Sequence, residues 1–558
     1  MTADAYDVVI AGGGPAGLVL AMELGRRSVS CLLVDDKPGT ATQPRANATQ
    51  ARTMEHYRRL GFAHEIRPLG LPLDYPTDMV CCTRLAGYEL ARYRRPSSKE
   101  AAQSVRNLSG SWSTPEPPHR CALIFVEPVL LKHARQFPSV GIQHNWRAAR
   151  FREDPTQVEV DIERVDGTAR RTVRAKYFVG CEGARTITRR QLGYKMQGDL
   201  ASEREWMAGK MHTIYFRSPR LHEVMGRPTA WMYFTVNRDR RSVLVAVNGT
   251  DTFTINAQLK PHEQDEAIGD TRALEMFEQA LGTRLPPVEI IGTDTWLGGY
   301  MLVAERYGSG GRVVMAGDAV HLFTPTGGLG YNTAVDDVCN LGWKLAALVQ
   351  GWGGPKLLAS YETERRPIGL RNTSLAKTMA DRIGLYRTTT TLEEDSPAGA
   401  AERKRAGDHL LDHLMREFNI PGVTFGVRYD GSPIVVGDGT APPPDLPNEY
   451  VPSACPGGRA PHHWLPPHIS EGGASLFDRF GRDFTLLVTG ADSGVARGFE
   501  QAAEAQRIPL SVLHLPQPDL RGLYEADLAL IRPDQHVAWR GSTRSADPAA
   551  VLRQATGH

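Results

Sequence analysis

The pattern of apolar and polar positions opens with residues 6–11 (YDVVIA), a short β-branched run that predicts a buried strand. Residues 17–26 follow with helical composition, apolar at Leu18, Ala21, Met22 and Leu24, and residues 29–34 predict a second strand. Further on, residues 158–165 and 171–173 flank Asp166-Gly167 and read as a hairpin. Residues 210–216, 231–236 and 242–247 read as strands, the last two joined by an Asn237-Arg238-Asp239 turn, and residues 270–281 read as a helix. Residues 312–316 (RVVMA) predict one more strand. A helix then begins near Asn332, with Val335, Val338, Leu341, Leu345 and Leu348 at helical spacing. Residues 441–447 (APPPDLP) break regular structure and read as a linker. Beyond them, residues 476–478, 484–488, a helical 496–505, 510–515 and 529–539 give a βαβ-type alternation ending in strands.

Two glycine-rich segments sit on this framework. Gly12-x-Gly14-x-x-Gly17, with Pro15 and Ala16 between, follows the first strand and opens the first helix. Side chains there would hold the backbone away from a diphosphate, which the free N–H groups and positive end of the helix attract. Asp35, eighteen positions after Gly17, stands where the ribose-binding acid of such a unit belongs, with Asp36 next to it. The second segment runs from Gly317 to Asn332 (GDAVHLFTPTGGLGYN). Asp318 ends a strand where it can accept hydrogen bonds from hydroxyls, and the helix after the glycines offers bare N–H groups to negative charge. Asp336 and Asp337 fit the positive end of that helix, with Lys344 further along. Two such segments about three hundred residues apart point to one extended cofactor, FAD, gripped at both ends.

Composition narrows the classes. A chain of 558 residues suggests three or so domains, and 41% hydrophobic with 23% charged residues is typical of a globular protein with ample core. A net charge of +2 implies neither a nucleic-acid nor a membrane partner. No apolar run is long enough to span a membrane, and the N-terminus enters a strand directly, so no signal peptide is expected. Seven scattered cysteines, with no metal-type spacing, read as reduced thiols in a cytoplasm. Cys81-Cys82 reads as a buried pair rather than a redox couple. No metal site is expected, and His462-His463 read as solvated residues near a turn.

Pro44-Arg45-Ala46-Asn47 with Ala51-Arg52-Thr53-Met54-Glu55, then residues 178–185 (FVGCEGAR), Gly317-Asp318 and residues 325–332 resemble, in order, the motifs of class A flavoprotein aromatic monooxygenases. Residues 455–461 (CPGGRAP) and the 532–540 segment resemble the phenol and 3-hydroxyphenylpropionate hydroxylase branch. The resemblance covers nearly the whole chain. It implies an α/β fold: a Rossmann-like FAD-binding domain (1–190 with 297–380), an inserted antiparallel-sheet substrate domain (191–296), a helical connection (381–440) and a thioredoxin-like domain (448–558). No cysteine follows Cys455, so that last unit does no thiol–disulfide chemistry; a packing or dimer role is expected.

The activity implied is hydroxylation of a substituted phenol. NADH or NADPH reduces FAD, and O2 bound as a flavin C4a-hydroperoxide attacks the electron-rich ring. Cofactor contacts are carried to Gly12, Gly14, Pro15, Ala16, Gly17, Asp35, Asp36, Arg45, Arg120, Glu182, Gly183, Asp318, Pro325, Gly328, Leu329, Gly330 and Asn332, with Pro325 also counted beside the reacting ring. The chain departs from the pattern at three positions. Relatives carry Asp or His where Asn47 stands, and an amide cannot take a proton at neutral pH. Either the base lies elsewhere, with Tyr215, His212 and Tyr233 on the strands as candidates, or the substrate is already acidic. Glu182 replaces an Asp, and Leu123 stands where many relatives carry a flavin-contacting Gln. Other readings are a Baeyer–Villiger or epoxidising enzyme acting on a polyketide, and a non-oxygenating FAD protein such as a dehydrogenase or halogenase. A flavoprotein scaffold working through its tail is the last of them. The halogenase lacks its Trp-x-Trp-x-Ile segment.

Overall fold

The computed structural model describes residues 5–200, 204, 206–467, 474–490, 494–542 and 547–558. Its first sheet is built around the strand Ala5–Ala11, whose last four residues are fully enclosed. That strand pairs in parallel with Cys31–Asp35 on one side and with Arg170–Gly180 on the other. Val140–His144 extends the first flank. On the other, the early part of Arg170–Gly180 pairs antiparallel with Val158–Arg164, which pairs with Trp146–Glu153. Its late part pairs in parallel with Val313–Met315, a strand from far along the chain. Three chain segments therefore leave the sheet side by side: Gly12, Cys181-Glu182 and Gly317. Cys181 N donates to Ala11 O at 2.7 Å, and Ala316 N to Gly180 O at 3.0 Å. Crevices at the carboxyl ends of parallel strands are where such folds bind ligands.

The second sheet runs in the order Glu289–Leu297, Lys210–Arg217, Thr252–Gln258, Ser242–Ala246, Met232–Thr235, Met79–Cys82, Glu89–Tyr93. Its last two strands come from the amino-terminal segment, so the sheet reaches beyond the expected 191–296 stretch. They join because Met79–Cys82 pairs in parallel with Met232–Thr235. Met196–Leu200 falls within 191–296 but pairs instead with Tyr300–Ala304 in a small third sheet. One face of the second sheet packs on the helix Asp270–Leu281, where Phe216 and Phe277 lie 4.8 Å apart. The other face looks toward the first sheet: Arg45 reaches Asp294 at 2.6 Å, and a Cβ on Gly292 would lie 3.2 Å from the Gln43 amide.

The carboxy-terminal unit holds a four-stranded sheet ordered Leu510–His514, Phe484–Val488, Leu528–Ile531, Val537–Gly541, with the first two parallel and the last two a hairpin. Helices Gly494–Gln506, Pro518–Tyr524 and Pro548–Ala555 complete it. Residues 476–478 form part of a short 3-10 turn capped by Ser475 rather than a strand. His462, expected in solvent, is buried, with Nε2 3.1 Å from Ser475 Oγ; desolvation, then Arg459, pushes its pKa down to about 3. Cys81 and Cys82 are both buried and unbridged. No helix among the described residues is long and apolar enough to cross a membrane.

This unit is fastened to the rest of the chain by buried charges. Arg459 Nε donates to Glu55 at 3.0 Å, Arg52 Nη2 to Asp534 O at 2.6 Å, and Arg532 makes two bonds to Glu364 at 2.7 and 2.9 Å. Burial alone would raise the Glu55 carboxyl, but Arg459 and Arg52 outweigh it and hold the pKa at about 2. A depressed carboxyl stabilises the fold above its unfolded value near ~4.3 and loses that contribution as pH falls toward 2. The share from Glu55 is on the order of 3 kcal/mol. Urea midpoints should therefore fall steeply between pH 4.5 and 2, and Glu55→Gln should flatten part of that slope; an unchanged slope would contradict the pairing.

Candidate cofactor and substrate site

The four glycines of the first turn are glycine for different reasons. Gly12 has φ +106°, and a Cβ there would lie 2.2 Å from Cys181 O; on Gly17 it would lie 1.9 Å from Gly12 O, and on Gly13 2.8 Å from Asp35 Cβ. Those three are demanded by the fold itself. A Cβ on Gly14 would meet no protein atom within 4 Å. No protein contact at that Cβ requires a glycine there, so the fold leaves the space in front of it open. Pro15 opens the helix Pro15–Gly25, and Ala16 and Gly17 present N–H groups without intrahelical acceptors. Asp35 Oδ2 accepts from Gly13 N at 2.5 Å and Oδ1 from Lys37 N at 2.9 Å, so this carboxylate braces the turn; Asp36 is exposed. Glu182 turns back on its own loop, accepting from the hydroxyls of Thr186 and Thr188, and burial raises its pKa. Gly183 beside it has φ +82° and open space at its Cβ position.

At the second segment, Asp318 lies in the short turn Gly317–Ala319. Its carboxylate is solvent-accessible and has no hydrogen-bond partner among the described residues. Surrounding protein raises its pKa, with His321 pulling the other way and Asp337 adding to the rise. An accessible carboxylate at the strand ends, without a hydrogen-bond partner among the described residues, fits the hydroxyl chain of FAD, as Gly14 fits its diphosphate. Gly317 and Ala16 are close neighbours, a Cβ on the former lying 3.6 Å from that of the latter.

Gly327 (φ +69°) and Gly328 (φ +62°) reverse the chain before the helix Leu329–Gln350. Gly328 N donates to the carbonyl of the exposed Pro325 at 3.2 Å, and Gly327 N to Glu417 at 2.9 Å. No side chain caps this helix, so the N–H groups of Leu329 and Gly330 remain available. Leu329 itself packs with Ala376 and Met379. Asn332 is fully used by protein: Nδ2 donates to Ala48 O and Gly328 O, while Oδ1 accepts from Gln50 N and Thr53 Oγ1. An amide has two donors and two lone pairs, so this side chain staples two loops and has nothing left for a flavin.

Asp336 and Asp337, expected to answer the helix dipole, lie in the second and third turns, where that effect has faded. They belong instead to a buried network. Asp337 accepts from Gly317 N at 3.2 Å and pairs with His321 at 2.6 Å and Arg365 at 2.8 Å. Asp336 pairs with Arg365 at 2.5 Å and with His56 at 3.0 Å. Lys344 pairs with Glu364 at 2.6 Å, and Glu364 also holds Arg532 of the carboxy-terminal unit.

Side chains alternate along a strand, so Lys210–Arg217 sends His212 and Tyr215 to opposite faces of the second sheet. His212 lies on the helix-covered face, with Nδ1 2.9 Å from Thr295 Oγ1. Tyr233 shares that face; its hydroxyl accepts from Ala230 N at 2.6 Å. Both are removed from the flavin side by strand register. Tyr215 faces the cleft, half-buried, and burial raises its pKa. Beside it runs a polar chain absent from the sequence-based candidates: Trp296 Nε1 donates to Thr213 Oγ1 at 2.8 Å, and Thr213 to Asn256 Oδ1 at 2.6 Å. Asn47 is half-buried in a loop where Ala46 takes a left-handed φ of +46°, a strain on the order of 1–2 kcal/mol. Leu123 N holds that loop by donating to Arg45 O at 2.9 Å. Arg120 stands apart from the glycine turn, its guanidinium 4.3 Å above the Trp231 ring at the start of Met232–Thr235.

Comparison with known proteins gives a consistent picture. The FAD binding domain family matches residues 5–376, and the aromatic-ring hydroxylase C-terminal family matches residues 453–558. The FAD-dependent monooxygenase apdD of Emericella nidulans is 30% identical over 99% of this chain and 90% of its own length. The phenol 2-monooxygenase of a Pseudomonas strain is 29% identical over 98% of this chain and 91% of its own. Among solved structures, chromopyrrolic acid-soaked RebC with bound 7-carboxy-K252c superimposes with a TM-score of 0.88 at 31% identity, covering all of both chains.

Proposed function

Because the chain belongs to the FAD-dependent aromatic-ring hydroxylases, the class A flavoprotein monooxygenases, we propose that it hydroxylates a substituted phenol or related small aromatic held against Tyr215, Thr213 and Asn256. FAD is its cofactor, and NADH or NADPH the reductant. When bound, FAD would supply hydride acceptance from the nicotinamide and O2 activation, by which one oxygen atom would enter the ring and the other leave as water. The protein supplies placement and dryness. Gly14 admits the diphosphate to the helix N-terminus, Asp318 accepts from the hydroxyl chain, and the uncapped helix at Leu329 faces the ring end. The second sheet roofs the cleft, and the Arg45–Asp294 pair at 2.6 Å closes one edge of it.

The observation that carries this reading is the pairing of two unfilled positions, the Cβ space at Gly14 and the unpartnered Asp318, beneath one sheet. Beside Tyr215 the polar groups are the hydroxyl of Thr213 and the amide of Asn256, which orient a phenol without deprotonating it, while the carboxylate of Asp294 on that face is taken up by Arg45. That supports a substrate acidic enough to ionise unaided. The strand order of the carboxy-terminal sheet supports a thioredoxin-like unit at 448–558 serving as a packing element, and the substrate sheet draws on residues 79–93 as well as 210–297. A homodimer acting in a reducing cytoplasm is included in it, supported for the compartment by seven free thiols. Substrate-stimulated NAD(P)H oxidation tests the activity. A panel of phenols should contain one that accelerates oxidation many-fold with little peroxide formed. A panel that leaves the basal rate unmoved would remove the hydroxylase reading.

A further inference from the structure

Arg120 presents a cation without a counter-charge. Its guanidinium is half-buried, lies over Trp231, and has no carboxylate or hydrogen-bond partner among the described residues. Burial depresses its pKa to about 9; Arg95 adds to the drop and Tyr93 partly offsets it. Arg95 is the second such cation. Its Nη1 donates to Tyr93 OH at 3.3 Å, and its guanidinium lies 5.7 Å from the Tyr93 ring and 5.8 Å from that of Trp112. Two guanidinium groups among aromatic faces, with no acid between them, repel each other, and an incoming anion would relieve that repulsion.

The position is specific. Thr49 and His119 exchange backbone hydrogen bonds at 2.9 and 2.8 Å, which sets Arg120 across from Ala48, the residue after Asn47. Ala48 Cβ is the atom that a Cβ on Gly328 would meet, at 3.3 Å. Arg120 therefore stands where the Asn47 loop, the glycine loop at the flavin ring and the second sheet converge. A planar fork of donors matches a carboxylate in a two-bond grip, and the half-buried rings of Tyr93 and Trp112 offer aromatic faces nearby. We propose that Arg120, backed by Arg95, is a specificity-determining residue that grips a carboxylate on the aromatic substrate. This deepens the function proposed above and rests on it. An ionised phenol offers the same anionic chemistry through one oxygen, so the test separates the two.

FAD-loaded, oxidised protein is titrated, by flavin difference spectra, with hydroxyaryl carboxylates of one to four rings, each paired with its primary amide, and with 4-nitrophenolate. At least one acid should bind about 10- to 100-fold tighter than its amide. Arg120→Gln should erase that preference while FAD content, melting temperature and nitrophenolate binding stay as in wild type. Arg120→Lys, which keeps the charge and loses the fork, should restore only part of it. Amides binding as tightly as acids throughout the panel would overturn the proposal. So would nitrophenolate being the only ligand weakened, or FAD lost from Arg120→Gln with the fold intact. Oxidation stimulated by neutral phenols alone would sink this inference and leave the hydroxylase standing. An acid preference that depends on Arg120, with no ligand stimulating oxidation, would sink the hydroxylase reading instead.

Discussion

Gly14→Val yields a folded, colourless protein. The Cβ of a valine at this position would meet no protein atom within 4 Å apart from its chain neighbours. The backbone carries no left-handed demand there, as Gly14 has φ −73°. Folding should accordingly proceed as in wild type, with an unchanged melting curve for the cofactor-free form. What the side chain fills is the approach to the N–H groups of Ala16 and Gly17, where a diphosphate must sit. Forcing a branched side chain into that contact costs about 1–3 kcal/mol, a roughly 10- to 100-fold weaker hold on FAD. Gly12→Val and Gly17→Val make the instructive contrast: there the clash is with backbone carbonyls at 2.2 and 1.9 Å, so the fold itself should fail. A yellow, fully loaded Gly14→Val would show that the cofactor lies elsewhere.

Arg365→Met should be the most damaging single change away from the cleft. Arg365 binds Asp337 through Nε at 2.8 Å and Asp336 through Nη1 at 2.5 Å, with all three side chains buried. Removing the guanidinium leaves two buried carboxylates with two histidines, the Gly317 N–H and Arg52 at 4.0 Å as their partners. Breaking such a pair costs about 3–5 kcal/mol, a large share of the ~5–15 kcal/mol available to a folded protein. The damage should also reach the cofactor, because Asp337 holds Gly317 N and so positions Asp318. Urea unfolding and released flavin, measured together, should both fall well below wild type. Adding Asp336→Asn and Asp337→Asn should recover part of the stability, since neutral amides need no counter-charge. An Arg365→Met protein that unfolds with the wild type and keeps its flavin would refute this role.

Much of the scaffold was legible in the residues. The strand–turn–helix of the first segment, the hairpin at Asp166-Gly167 and the carboxy-terminal alternation all rest on short-range patterns. Parity along Lys210–Arg217 was legible too: an even-numbered His212 and an odd-numbered Tyr215 cannot share a face. What stayed hidden depends on partners distant in sequence. Asn332 looks like a ligand in its motif, yet four groups from residues 48–53 and 328 consume it. Asp336 and Asp337 read as dipole residues because their partner Arg365 is almost thirty positions away. The strands at 79–93 carry no mark of the sheet they join, since that pairing is fixed by Met232–Thr235. Thr213 and Asn256 became visible as a pair only through the register between their strands.

The central claim is that one flavin is gripped at its diphosphate by Gly14 and at its hydroxyl chain by Asp318. The direct test is the flavin stoichiometry of purified wild-type, Gly14→Val and Asp318→Ala proteins, read from absorbance after heat release. Wild type should carry one FAD per chain, and both variants, melting like the cofactor-free parent, should carry almost none. A wild-type protein that stays colourless after soaking in FAD, or variants as yellow as the parent, would contradict the account.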